Sequence, residues 1–247
     1  MPDKCDLQRR RLTIRSGYPI RYLILLAALP ASAPAGGANF NRYLLLTTDY
    51  VFRGVTYSDG HPAAQLGADL AFDRGFYAGV WGSTVDISIE SITDRDLEID
   101  YYLGYRHDVS SNWSFGANLV AYTFPGTSGA FDYDYQEYGL NVNYDDRAWF
   151  EYAFSPDLLH SGQHTHNVSF YIEWPCAIET KVGAGAGYYF VSDLSGDNYG
   201  YWQFGVTRPF TRFDLDLRYH DSSRWVPFIS NANRTGPRIV LSLRLEF

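Results

Sequence analysis

Residues Ile239 to Phe247 read IVLSLRLEF, and this stretch at the end of the chain decides the fold class. A period of two residues is the repeat of a β-strand, whose successive side chains point to opposite faces. The apolar face comprises Ile239, Leu241, Leu243, Leu245 and Phe247. The opposite face comprises Arg238, Ser242, Arg244 and Glu246, together with Val240. One face therefore suits an apolar environment and the other suits water.

The same alternation runs through the chain after residue 40. It predicts twelve strands, at 45–55, 63–72, 76–86, 97–107, 113–124, 133–144, 147–155, 164–174, 179–190, 199–207, 212–220 and 237–247. Short turns and longer polar connections take alternate places between these strands. An even strand number with this arrangement is the plan of an outer-membrane barrel, whose termini both lie at the short-turn, periplasmic end.

The polar faces of the predicted strands carry too much charge for the core of a soluble protein. Their ten acidic residues are Asp49, Asp69, Glu98, Asp100, Glu137, Glu151, Glu173, Asp214, Asp216 and Glu246. Their six basic residues are Arg53, Arg106, Lys181, Arg218, Arg238 and Arg244. A wet lumen tolerates these charges, whereas a packed core does not. The apolar faces then meet lipid, where an open sheet edge cannot exist. The sequence predicts an all-β, transmembrane, antiparallel up-and-down β-barrel of about twelve strands.

The composition agrees with such a barrel, because the chain has six Trp, 21 Tyr and 16 Phe. Tyr and Trp at strand ends would form girdles at the two membrane interfaces. The glycines of one predicted strand, Gly183, Gly185 and Gly187, would give the lumen space. The sequence contains no run of 18 or more apolar residues, so it does not predict a membrane-spanning helix.

The N-terminal residues have the pattern of a secretory signal. Arginines precede the apolar run Tyr22–Leu29, and Ala33-Pro34-Ala35 offers a cleavage site between small residues. We therefore expect a signal peptide at 1–35 and a barrel at 36–247. Without the signal, 14 basic and 26 acidic residues remain, which gives a net charge of −12. So acidic a chain is a poor partner for nucleic acid, and we expect none.

The stretch Thr47–Asp86 resembles a known family. Its motif DYVFRG, at Asp49–Gly54, is followed by DGHP at Asp59–Pro62 and by GFYAGVW at Gly75–Trp81. This succession is similar to that of the TorF-type porins, a proteobacterial family. The resemblance implies a barrel in the outer membrane of a Gram-negative bacterium, and it implies no catalytic residues.

We expect the barrel to let small hydrophilic solutes diffuse passively through its lumen. The first strand would meet the last, which would bring Arg53 near Arg238 and Asp49 near Arg244. The acidic residues half-way round the barrel would be Glu137 and Glu151. A basic wall facing an acidic wall would impose a transverse field on the solute, unless the charges pair locally and only fill the interior.

The surplus of acidic residues predicts a weak preference for cations. The predicted pore-lining residues are Asp49, Arg53, Glu98, Asp100, Glu137, Glu151, Asp214, Asp216, Arg218, Arg238 and Arg244. Phe247 resembles the C-terminal aromatic residue by which bacterial barrels are recognised for assembly. The expected partners are therefore outer-membrane lipid, the barrel assembly machinery and small hydrophilic solutes.

Two alternatives are a non-conducting barrel that binds a partner at the surface and a hydrolase embedded in a barrel. One predicted hairpin contains His160, His164, His166 and Ser169. His164 and His166 share a strand face, which is the spacing of a β-strand metal site. A metal site needs three or four converging ligands, and no second cluster supplies them. We therefore expect a solvated rim there, with no enzymatic activity, metal or cofactor.

Overall fold

In the computed structural model of the protein, the described residues are 38–86, 97–125, 132–176, 179–223 and 234–247. Their strands are β1 (Ala38–Thr47), β2 (Val51–Phe52), β3 (Val55–Thr56), β4 (Ala63–Phe72), β5 (Phe76–Thr84), β6 (Leu97–Asp108), β7 (Trp113–Thr123), β8 (Tyr135–Tyr144), β9 (Ala148–Ser155), β10 (Thr165–Pro175), β11 (Lys181–Phe190), β12 (Tyr199–Pro209), β13 (Phe213–Ser222) and β14 (Arg238–Glu246). Twelve of them close into one barrel, and β2 pairs only with β3. The predicted signal peptide at 1–35 lies outside the described residues.

The barrel is antiparallel and runs up and down, as predicted. Successive strands pair with one another, β1 skips the β2–β3 hairpin to pair with β4, and β1 also pairs with β14. We call the end that holds connections 73–75, 109–112, 145–147 and 210–212 the short-turn end, and the opposite end the long-loop end. The barrel begins and ends at the short-turn end. In the described ranges, no helix is long and apolar enough to cross a membrane.

The two faces of each barrel strand differ in burial. On β6, Glu98 and Asp100 are fully buried, whereas Tyr101 and Leu103 are more than half exposed. The same holds around the barrel, so that Ile239 on the outer face of β14 is 74% exposed. An outward band of large apolar side chains is stable in hydrocarbon and unfavourable in water.

The seam where the barrel closes is short. Strand β1 pairs with β14 over five residue pairs and with β4 over ten. Two further backbone hydrogen bonds extend the seam. Thr48 N donates to Leu241 O at 2.9 Å, and Phe247 N donates to Arg42 O at 3.1 Å. The C-terminal residue is therefore part of the closure.

The predicted first strand at 45–55 is wrong. Strand β1 ends at Thr47, whose hydroxyl donates a hydrogen bond to the carbonyl of Asp49 at 2.8 Å, and the chain then turns inward to form β2 and β3. The prediction failed because Asp49–Phe52 alternates like a barrel strand although it belongs to a separate hairpin. The other eleven predicted strands begin and end within two residues of the observed ones.

The glycines of β11 do not leave the lumen open, contrary to prediction. A β-carbon at Gly185 would lie 2.9 Å from Cδ2 of Tyr171, and side chains at Gly183 and Gly187 would overlap the rings of Tyr171 and Tyr201. These tyrosines reach across from the neighbouring strands and lie over the glycines. Part of the tyrosine excess therefore lines the interior, whereas the sequence predicted it only at the membrane interfaces.

Candidate functional site

A hairpin enters the barrel from the long-loop end. We call residues Asp49–Gly60 the inner hairpin; two residue pairs join its strands β2 and β3. Its tip is Arg53-Gly54, with φ of 47° and 77°. Two positive φ values fit a type I′ turn, which connects strands through two residues. A β-carbon at Gly54 would lie 2.8 Å from Cβ of Tyr201 and 2.9 Å from Cβ of Ser222. The tip therefore touches the wall formed by β12 and β13.

The side chain of Arg53 reaches a glutamate on another part of the wall. Nη1 and Nη2 of Arg53 donate to Oε1 and Oε2 of Glu137 at 2.7 and 2.8 Å. The side chains of Arg53 and Glu137 are 5% and 4% exposed. The hydroxyl of Tyr122 also donates to Oε2 of Glu137 at 3.0 Å. This is a buried, bidentate ion pair with an additional hydrogen bond, the geometry in which a guanidinium binds a carboxylate most strongly.

Aromatic rings surround the guanidinium of Arg53. Its Cζ lies 4.5 Å from the ring centre of Tyr189 on β11 and 4.8 Å from that of Phe52 on the inner hairpin itself. A cation above an aromatic ring is attracted by the ring's negative face. The carboxylate of Glu137 compensates the buried positive charge of Arg53, since the two groups form a bidentate ion pair.

The carboxylate of Asp49 organises the root of the inner hairpin. Its Oδ1 accepts hydrogen bonds from the hydroxyls of Thr56 and Ser58 and from the backbone N–H of Gly60. Its Oδ2 lies 3.2 Å from Nη1 of Arg238 on β14. One buried carboxylate thus joins both ends of the hairpin to the last barrel strand.

Apolar side chains pack around the inner hairpin in the long-loop half of the interior. The ring centre of Tyr50 lies 5.7 Å from that of Trp81 on β5 and 5.3 Å from that of Tyr57. One buried cluster comprises Tyr43, Leu45, Tyr50, Phe52, Ala63, Trp81 and Val85. A second comprises Val55, Val120, Tyr122, Phe124, Tyr135, Leu158, Tyr189, Val191 and Tyr199. The hairpin is therefore packed into the barrel.

The predicted arrangement of charges at the seam is wrong. Arg53 pairs with Glu137, and Asp49 pairs with Arg238 instead of Arg244. The guanidinium of Arg244 lies over the ring of Tyr43 at 3.8 Å. Because the inner hairpin carries Arg53 to Glu137, these two residues do not face each other across an open gap.

The other predicted lining residues lie on the inward faces of barrel strands. Nη2 of Arg218 lies 2.8 Å from Oδ2 of Asp216 within β13, so this pair is local. Glu98 and Asp100 on β6 are fully buried. Glu151 and Asp214 are half-buried on β9 and β13. Sequence reasoning missed Gly54, Tyr122 and Tyr189, although an Arg-Gly pair between two short alternating stretches is a hairpin signal.

The mouth at the long-loop end is acidic. Within the described connections, the aspartates with at least intermediate exposure are Asp59, Asp86, Asp132, Asp134, Asp157, Asp193 and Asp197. The arginines and lysines of the same described connections are Arg53 and Arg234, and both are buried. The described part of this end is therefore negative.

The histidine hairpin does not form a catalytic pair in the structure. Ser169 lies on the inward face of β10, whereas His166 lies on the outward face and its Nδ1 is 2.7 Å from the hydroxyl of Tyr152. The rings of His164 and His166 lie 5.4 Å apart, so they do share a face. The described residues contain no group of three or more His, Cys, Asp or Glu that could hold a metal ion.

Twelve antiparallel strands closed around a charged interior that an inner hairpin crosses define a β-barrel of the porin fold. A KdgM porin superposes with a TM-score of 0.52 at 9% identity, over 85% of this chain and 99% of that chain. The NanC porin superposes with a TM-score of 0.50 at 10% identity, over 84% and 97%. A KdgM porin in complex with disordered oligogalacturonate gives a TM-score of 0.50 at 10% identity, over 85% and 99%. At these identities the likeness shows the fold alone.

The chain belongs to the family described as "Bacterial protein of unknown function (Gcw_chp)", whose profile matches residues 31–235. No curated protein matches the sequence. The resemblance of the motif at Thr47–Asp86 to the TorF-type porins stays a prediction.

Proposed function

We propose that this protein is an outer-membrane channel of the porin type, through which small hydrophilic solutes diffuse passively. The observation that carries the proposal is the closed barrel with apolar side chains outside and ion pairs inside. Hydrocarbon is the environment that stabilises the outer face, and closure removes the sheet edges that lipid could not hydrogen-bond. The short-turn end is then periplasmic, and the long-loop end with its aspartates faces outside.

The inner hairpin is the proposed constriction. It touches the wall at Gly54, pairs with Glu137 through Arg53 and is joined to the last strand through Asp49. A solute must pass beside this segment or displace it. The proposed pore lining comprises the inward charges of the barrel strands together with Asp49 and Arg53.

Weak cation preference is part of the proposal. Five inward acidic residues of the predicted set pair with basic ones, namely Asp49, Glu137, Glu173, Asp216 and Glu246. The predicted inward set has ten acidic residues against six basic ones, so the inward faces carry an acidic surplus. Together with the acidic mouth, this surplus raises the local concentration of cations.

The proposal is tested by planar-bilayer recording of the purified, refolded protein. We expect discrete conductance steps, and a reversal potential under a KCl gradient that indicates excess K⁺ flux. The selectivity should fade in concentrated salt, because the screening length falls to about 3 Å at 1 M. Protein unfolded by boiling is the matched control. Absence of any steps from correctly folded protein would refute the channel, and a reversal potential of anion sign would refute the preference.

A second candidate function is a non-conducting barrel that acts at the cell surface. The observation in its favour is that the inner hairpin is part of both apolar clusters, through Tyr50 and Phe52 in one and Val55 in the other. In this case the wild-type protein would not conduct, whereas a variant that lacks residues 50–58 would. The bilayer experiment applied to both proteins separates the two functions.

A further inference from the structure

The wall around Glu137 has the chemistry of a receptor for an organic cation. Glu137 on β8 offers both carboxylate oxygens, and Tyr122 on β7 holds one of them by a hydrogen bond. Tyr189 on β11 presents its ring face to the same place, 4.5 Å from the guanidinium carbon. We call these three residues the Glu137 pocket. A carboxylate beside an aromatic face is the combination that binds guanidinium and ammonium groups.

The cation that fills this pocket comes from a separate element. Arg53 is at the tip of the inner hairpin, whereas all three pocket residues belong to barrel strands. The hairpin has only two residue pairs of its own, so its tip is positioned chiefly by contacts with the barrel. Arg53 therefore occupies the Glu137 pocket as an internal ligand would.

We propose that the Glu137 pocket is a binding site for a solute that carries a guanidinium or alkylammonium group, which displaces Arg53 from Glu137. The proposal deepens the proposed function, because it names the class of solute that the constriction admits.

Exchange between the two cations is chemically balanced. A buried carboxylate without a partner is strongly unfavourable, so Glu137 cannot simply release Arg53. An entering guanidinium re-forms the same bidentate pair and ring contact, so the carboxylate stays compensated. The free energy of exchange then depends on two opposing contributions. The hairpin tip loses its packing, and the solute gains contacts with the pocket. An anion meets repulsion from Glu137, and a small inorganic cation has neither the planar fork nor the face that packs on Tyr189.

The pocket is tested by chemical rescue in detergent, without any measurement of current. Arg53→Ala removes the internal ligand, and ethylguanidinium is the probe. We expect ethylguanidinium to bind Arg53→Ala saturably, as measured by tyrosine and tryptophan fluorescence. Its affinity for this variant should be at least about tenfold tighter than for wild type, because Arg53 competes for the pocket in wild type. The isosteric but neutral N-ethylurea should not bind. The double variant Arg53→Ala/Glu137→Gln should lose at least about tenfold in affinity relative to Arg53→Ala.

Two further variants keep the test decisive. Arg53→Lys retains the charge but not the bidentate fork, so the probe should bind it more tightly than wild type even if Arg53→Ala does not fold. Arg208→Ala removes an arginine that lies 5.1 Å over the ring of Phe210 on the outer surface, and it should bind as wild type does. Equal binding by wild type, Arg53→Lys and the Glu137→Gln double variant would overturn the proposal. Binding without conductance would overturn only the channel, and conductance without binding only the pocket.

Discussion

Nη1 of Arg238 lies 3.2 Å from Oδ2 of Asp49, so the last barrel strand holds the root of the inner hairpin. The two residues are 189 positions apart in the chain. Their side chains are 17% and 7% exposed, which makes the pair largely buried. The contact ties the closure of the barrel to the position of the inner hairpin.

Replacing Asp49 by Ala should therefore destabilise the folded barrel. The change leaves Arg238 and three hydrogen-bond donors without the carboxylate, and breaking a buried ion pair costs about 3–5 kcal/mol. The measurement is urea unfolding in detergent, followed by fluorescence. Asp193→Ala, at an exposed position of the long-loop end, should stay within about 0.5 kcal/mol of wild type. A similar small effect for both variants would show that the Asp49 contacts do not support the fold.

Gly54→Ala should displace the tip of the inner hairpin. The new β-carbon would lie 2.8 Å from Cβ of Tyr201, and overpacking of this kind costs about 1–3 kcal/mol. Gly196→Ala is a matched control, since Gly196 also has a positive φ, of 83°, but nothing lies within 4 Å of its β-carbon position. The difference in the free energy of unfolding between the two variants isolates the wall contact. If that difference is near zero, the tip is not pressed against β12 and β13.

Arg53→Gln combined with Glu137→Gln should raise single-channel conductance. The double variant removes both buried charges at once, so the hairpin loses its ionic contact with β8 while no isolated charge remains. The matched control is Asp216→Asn with Arg218→Gln, which removes a buried pair within a single strand. We expect the larger increase from the pair that joins the hairpin to the wall. Equal conductance in both double variants would argue against the hairpin as the constriction.

Selectivity should depend on the acidic surplus of the wall. Glu98→Gln with Asp100→Asn should move the reversal potential towards anions, whereas Arg244→Gln should move it towards cations. Both effects should shrink in 1 M salt, where screening extends only about 3 Å. If the reversal potential stays the same in both variants, these charges only fill the interior.

Deletion of Phe247, or Phe247→Asp, should reduce the amount of protein in the outer-membrane fraction while translation is unaffected. Phe247 N donates to Arg42 O, and the guanidinium of Arg42 lies 5.1 Å from the Phe247 ring, so the residue belongs to the seam. Phe247→Tyr keeps the aromatic ring and should retain normal levels. Cell fractionation and immunoblotting give the measurement, and normal outer-membrane levels of the truncated protein would exclude this role.

The barrel could be predicted because strand alternation is a local property that repeats along the chain. The contacts of the inner hairpin could not be predicted from the sequence. Asp49 and Val51 alternate as a barrel strand does, and the Arg53-Gly54 pair indicates a turn without showing that its hairpin lies inside the barrel. Arg53 and Glu137 are 84 positions apart, so their pairing depends on how far the hairpin reaches into the barrel. The sequence correctly assigned Glu98, Asp100, Asp216 and Arg218 to the inward faces, because a period of two fixes the face even when the partner is unknown.

The contacts of Asp49 also predict an order of folding. The root of the inner hairpin needs Arg238, and its tip needs Glu137, so neither is complete until strands made much later are in place. Contacts between residues so distant in sequence form slowly, because a long loop must close first. A chain that stops before β14 lacks both the seam and the partner of Asp49. We therefore expect residues 49–60 to become resistant to protease only when the barrel closes. Pulse-chase proteolysis would measure the time of this change, which marks complete assembly.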